Sequence, residues 1–89
     1  MPGYALHPQV GLRQERFGAL AYHYGNRRLT FLNDDKLVEV VRTASRHDDI
    51  DDALVAVGVP EAQRPGYRIA LARLQEAGVV VLRAPEEEH

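Results

Sequence analysis

Val10-Gly11-Leu12-Arg13-Gln14-Glu15, Ala19-Leu20-Ala21-Tyr22-His23-Tyr24 and Arg27-Arg28-Leu29-Thr30-Phe31-Leu32 are three short runs parted by turn residues, and their reading decides the fold. In the first, Val10, Leu12 and Gln14 alternate with Gly11, Arg13 and Glu15, the period of a half-buried strand. Gly18 supplies the freedom for a turn near Arg16-Phe17-Gly18. Gly25-Asn26 predicts a two-residue hairpin of type II′, with Gly25 taking the positive φ such a turn requires. Three strands joined by short turns make an antiparallel meander.

Beyond Leu32 the pattern becomes helical. Asn33 is a plausible N-cap, Asp34 and Asp35 fall where a helix N-terminus favours negative charge, and Leu37, Val38, Val40, Val41 and Ala44 form an apolar stripe. A second helix, capped by Asp48 or Asp49, carries Ile50, Ala53, Leu54 and Val57 inward and stops at Gly58 before Val59-Pro60. A third begins at Pro65 and runs to Ala77, with Tyr67, Ala70, Leu71 and Leu74 on one face and Gly78 past its end. Val79 to Leu82 closes the domain. The expected class is therefore α+β, a three-stranded meander followed by three helices in a winged-helix-like arrangement. The expected organisation is an N-terminal segment 1–9, one domain over 10–82 and a disordered acidic tail 83–89.

The 89 residues are 45% hydrophobic and 27% charged, enough for one small core. Neither a signal peptide nor a bilayer-spanning stretch is visible, which predicts a cytoplasmic chain with no membrane partner. Ten arginines and one lysine are interspersed with thirteen acids to a net charge of −2, so no general attraction to nucleic acid is expected. Cysteine is absent. Ser45, Thr30 and Thr43 sit in no glycine-rich elbow or phosphate loop, and His7, His23, His47 and His89 lack the close spacing of metal ligands. The acidic pairs Asp34-Asp35, Asp48-Asp49 and Asp51-Asp52 fall at helix starts, where each stabilises the dipole by ~0.3–1 kcal/mol. These features predict no enzyme activity, no cofactor and no metal.

The third strand ends the sheet, which leaves backbone groups unpaired along an edge. Arg27 and Arg28 charge that edge against self-association. Alternatively, the edge accepts an extended peptide as a further strand, and the third helix walls a groove for its side chains.

Leu6-His7-Pro8-Gln9-Val10, Leu12-Arg13, Phe17-Gly18-Ala19-Leu20, Tyr22-His23, Arg27-Arg28-Leu29, Phe31-Leu32 and Val40-Val41-Arg42 resemble the mycofactocin-system peptide chaperones. These are peptide-recognition elements of pathways that modify ribosomally made peptides, similar in fold to the chaperone of pyrroloquinoline quinone biosynthesis. The resemblance runs from about Leu6 to Leu82. It implies binding of a precursor's leader region and docking onto a radical S-adenosylmethionine maturase. It also implies a leader strand added to Arg28, Leu29, Thr30, Phe31 and Leu32 and lying against Arg68, Leu71, Ala72 and Gln75.

Two other readings use the same features. A winged-helix DNA binder would read bases with the third helix and its Arg64, Arg68 and Arg73. Glu61 and Glu76 accompany those cations, and no asparagine lies on that helix. A self-associating module would pair two edge strands into a weak homodimer.

Overall fold

The computed structural model describes residues 3–83. The meander forms as β2 (Val10–Glu15), β3 (Gly18–His23) and β4 (Leu29–Leu32), antiparallel in the order β2-β3-β4. Helices α1 (Asp35–Thr43), α2 (Ile50–Val57) and α3 (Arg64–Glu76) follow, with single 3₁₀ turns before α2 and α3. The α+β class is as expected. A second, two-stranded sheet is added to it: β1 (Tyr4–Leu6) pairs antiparallel with β5 (Val80–Leu82). The stretch 1–9, set apart from the domain in the sequence, thus contributes a strand. Arg83 N–H donates to Gly3 O at 2.8 Å, continuing that closure. Residues 84–89 of the expected tail lie outside the described residues.

The inner face of the meander carries Val10, Ala19, Ala21 and Leu32, all buried. They meet Val38, Val40 and Val41 of α1, Ile50, Ala53 and Leu54 of α2, and Leu71 and Leu74 of α3, with Val79 and Val80 completing one core. At the β2–β3 turn Gly18 has φ +147°, and a Cβ there would lie 1.8 Å from Leu32 O. Only glycine lets β3 and the end of β4 approach so closely.

The β3–β4 connection departs from the expected turn. It is a four-residue loop, Tyr24 to Arg27, closed by His23 N–H donating to Arg28 O at 3.0 Å, and β4 starts at Leu29 rather than Arg27. Arg27, not Gly25, has the positive φ, 63°. The cause is His23, whose Nδ1 accepts from Gly25 N–H at 3.0 Å and Asn26 N–H at 3.2 Å, while Asn26 Oδ1 accepts from Arg28 N–H at 2.8 Å. Side-chain acceptors thereby satisfy the loop's amides and shift the left-handed residue to its end.

The N-cap of α1 is Asp34 rather than Asn33; its carboxylate accepts from Lys36 and Leu37 N–H. Asp49 caps α2, and the Asp51 N–H it accepts holds its carboxyl below the usual value. Gly58 ends α2 at φ 92°, with its N–H donating to Leu54 and Val55 O, as the sequence suggests.

Candidate functional site

Backbone polarity along β4 follows from its register. In an antiparallel pair, hydrogen-bonded and non-bonded residue pairs alternate. His23 N–H donates to Arg28 O at 3.0 Å and His23 O accepts from Arg27 N–H at 2.7 Å, so His23 turns both backbone groups toward the β4 side. Tyr22↔Leu29 is therefore non-bonded, Ala21↔Thr30 bonded, Leu20↔Phe31 non-bonded and Ala19↔Leu32 bonded. On the opposite side Tyr24 N–H donates to Gln9 O at 2.7 Å, which fixes the complementary alternation toward β2. Thr30 and Leu32 thus spend their N–H and C=O groups on β3. Leu29 and Phe31 direct theirs outward, and among the described residues no strand lies beyond β4.

A groove of about 430 Å³ begins two residues past β4, between the start of α1 and the first half of α3. Asp34 and Leu37 form one side, and Gln63, Gly66, Tyr67 and Ala70 the other. Tyr67 OH donates to Asp34 Oδ2 at 2.9 Å across it. Burial, reinforced by that carboxylate, pushes the Tyr67 hydroxyl up to about 12, so it stays a neutral donor at any ordinary pH. The groove thus combines the small or apolar Leu37, Gly66 and Ala70 with the Gln63 amide, the Tyr67 phenol and the Asp34 carboxylate, the last two bonded to each other. Among the described residues no group of three His, Cys, Asp or Glu side chains could hold a metal ion, and no helix is long and apolar enough to cross a membrane.

The residues named from sequence separate into two sets. Arg28, Leu29, Thr30, Phe31 and Leu32 lie together at the edge; Leu29 and Phe31 are exposed, Thr30 is half-buried and Leu32 is in the core. On α3 the placement is different. Leu71 is 0% exposed, a core residue that cannot line a groove, because the same apolar stripe that forms the helix packs it against the sheet. Arg68 Nε donates to Asp51 Oδ1 at 3.0 Å, which turns it toward α2. With about 100° per residue, Ala72 and Gln75 share the side of Arg68, away from Gly66 and Ala70. The α3 wall is therefore made by Gln63, Gly66, Tyr67 and Ala70. The sequence signal for it was Gly66 and Ala70, small residues four apart, the first a poor helix former kept in the first turn.

Residues 3–81 match the family described as the peptide chaperone MftB family. The chain belongs to the peptide chaperone MftB family. It is 44% identical over 81 residues to peptide chaperone MftB of Mycolicibacterium smegmatis, covering 91% of this chain and 79% of that protein. It is 41% identical over 81 residues to peptide chaperone MftB of Mycobacterium tuberculosis, covering 91% and 74%. No solved structure matches it significantly. The matched residues run from β1 into β5. Membership makes the chain a non-catalytic peptide chaperone of the mycofactocin system.

Proposed function

We propose that the chain binds the leader region of a ribosomally made precursor peptide as a strand added to β4 and delivers that precursor to a radical S-adenosylmethionine maturase. The observation that carries this reading is the pair of outward-facing backbone units at Leu29 and Phe31, open beside a groove. Two residues with one N–H and one C=O each offer about four hydrogen bonds, a net gain of roughly 2–6 kcal/mol. Association costs ~4–15 kcal/mol, so backbone pairing alone leaves binding weak. Side chains entering the groove at Tyr67 and Ala70 supply the remainder.

DNA reading through α3 is disfavoured because two of its three cations are committed within the fold. Arg68 bonds Asp51, and Arg64 Nε donates to Val59 O at 3.1 Å.

The test is a turnover assay with purified maturase and precursor, with and without this chain. Modification that depends on the chain is expected. Equal modification in its absence contradicts the delivery role.

A further inference from the structure

The face of the meander opposite the core is apolar and open. Register places Gly11, Tyr22 and Leu29 in one row across the three strands, and Arg13, Leu20 and Phe31 in the next. Leu29 is 59% exposed, Phe31 53% and Tyr22 36%. Tyr24 turns back over Gly11, where its hydroxyl lies 2.8 Å from the position a Cβ would take, and its ring meets Tyr22 edge-on at 5.1 Å. A hollow of about 330 Å³ remains between Arg13, Leu20, Tyr22, Tyr24 and Leu29. Arg13, the one charge in these two rows, lies on β2, two strands away from the outer side of β4, and pairs with Glu15 at 3.1 Å.

The outward backbone units belong to Leu29 and Phe31, the two β4 residues whose side chains lie on this face. A strand added to β4, parallel or antiparallel, places the residues beside Leu29 and Phe31 on the same face, with Cβ atoms ~4.5–5.5 Å from theirs. The residue between them, beside Thr30, points to the inner side, where the groove is. Each apolar row is then lengthened by one peptide side chain.

We propose that the outer face of the meander is a second recognition surface, which selects an extended peptide with apolar side chains at two positions separated by one residue. This rests on the strand-addition reading. A charged side chain at either position would lose water against Leu29, Phe31, Tyr22 and Leu20 without gaining a partner. The groove and the outer face thus read alternate residues of one peptide.

The experiment measures binding of the precursor's leader by fluorescence anisotropy, each leader position changed singly to Glu, against the parent chain, Leu29→Arg and Phe31→Arg. Both positions are exposed, and circular dichroism checks that the fold is kept. In the parent, Glu is expected to weaken binding by about tenfold or more at two positions separated by one residue. Phe31→Arg recovers about three- to fivefold at one of them and Leu29→Arg at the other, the scale of an opposite-charge cross-strand pair. Neither rescues the intervening position. Coupling at no position, with both Arg variants binding the leader as tightly as the parent, overturns the inference and leaves strand addition standing. If Phe31→Pro binds as tightly as Phe31→Ala, or the parent binds no leader, strand addition and the inference fall together. A peptide-free dimer in sedimentation that Phe31→Arg disperses assigns the face to a second copy and also overturns it.

Discussion

Asp34 serves two elements at once. Its Oδ1 caps α1 by accepting from Lys36 and Leu37 N–H, and its Oδ2 accepts from Tyr67 on α3. Asn33 and Asp34 are both competent caps by residue type; the second bond, made across 33 positions of sequence, favours Asp34, and no local pattern encodes it. Burial first and then Asp34 raise Tyr67 from 10.0 to about 12. The raised value favours the neutral phenol, so its contribution to stability is fully present below pH 10 and is lost as pH rises through about 12. In a spectrophotometric titration, the difference between parent and Tyr67→Phe should show one tyrosinate appearing near pH 12, and Asp34→Ala should bring that step down. A step already complete near pH 10 would show that the groove is open to water at Tyr67. Gly66 gives a second residue-scale prediction. A Cβ there meets nothing within 4 Å, so Gly66→Ala should raise stability by about 0.5–1 kcal/mol in denaturant unfolding. The added methyl enters the groove, so the same variant should bind leader several-fold more weakly by calorimetry.

At the scale of elements, β4 is where sequence and register diverge. Alternating residues made the three strands legible, since Val10, Ala19, Ala21 and Leu32 do fall on one buried face. What alternation does not convey is which amides face the edge, because that depends on the closing pair of the loop. The glycine at position 25 suggested a two-residue turn. His23 accepts two amides and produces a four-residue one, and this sets Thr30 N–H toward β3. Thr30→Pro should therefore break the β3–β4 ladder and cost about 1–3 kcal/mol of stability. Phe31→Pro leaves the ladder intact and removes an outward donor, so it should match Phe31→Ala in unfolding yet bind leader about tenfold more weakly than Phe31→Ala. Paired urea melts and calorimetry check both halves. On α3 the amphipathic stripe correctly placed Leu71 and Leu74 on one face, but only tertiary packing shows that this face is core and that the groove lies beside it, at Gly66, Tyr67 and Ala70.

In the molecule as a whole, β1 and β5 join the two ends of the described chain beside a core shared by the meander and the helices. Tyr4-Ala5-Leu6 is three residues long and pairs with strand residues more than seventy positions away, so no local propensity marks it as a strand. Both ends of the described residues are thereby paired with each other, and the backbone units that β4 leaves unpaired are those of Leu29 and Phe31. Amide hydrogen exchange by NMR, with and without leader peptide, tests this most directly. In the free chain the Thr30 amide should exchange slowly and those of Leu29 and Phe31 quickly; with saturating leader, Leu29 and Phe31 should become protected while Thr30 changes little. Leader that binds while Leu29 and Phe31 continue to exchange at their free rates would contradict strand addition at β4.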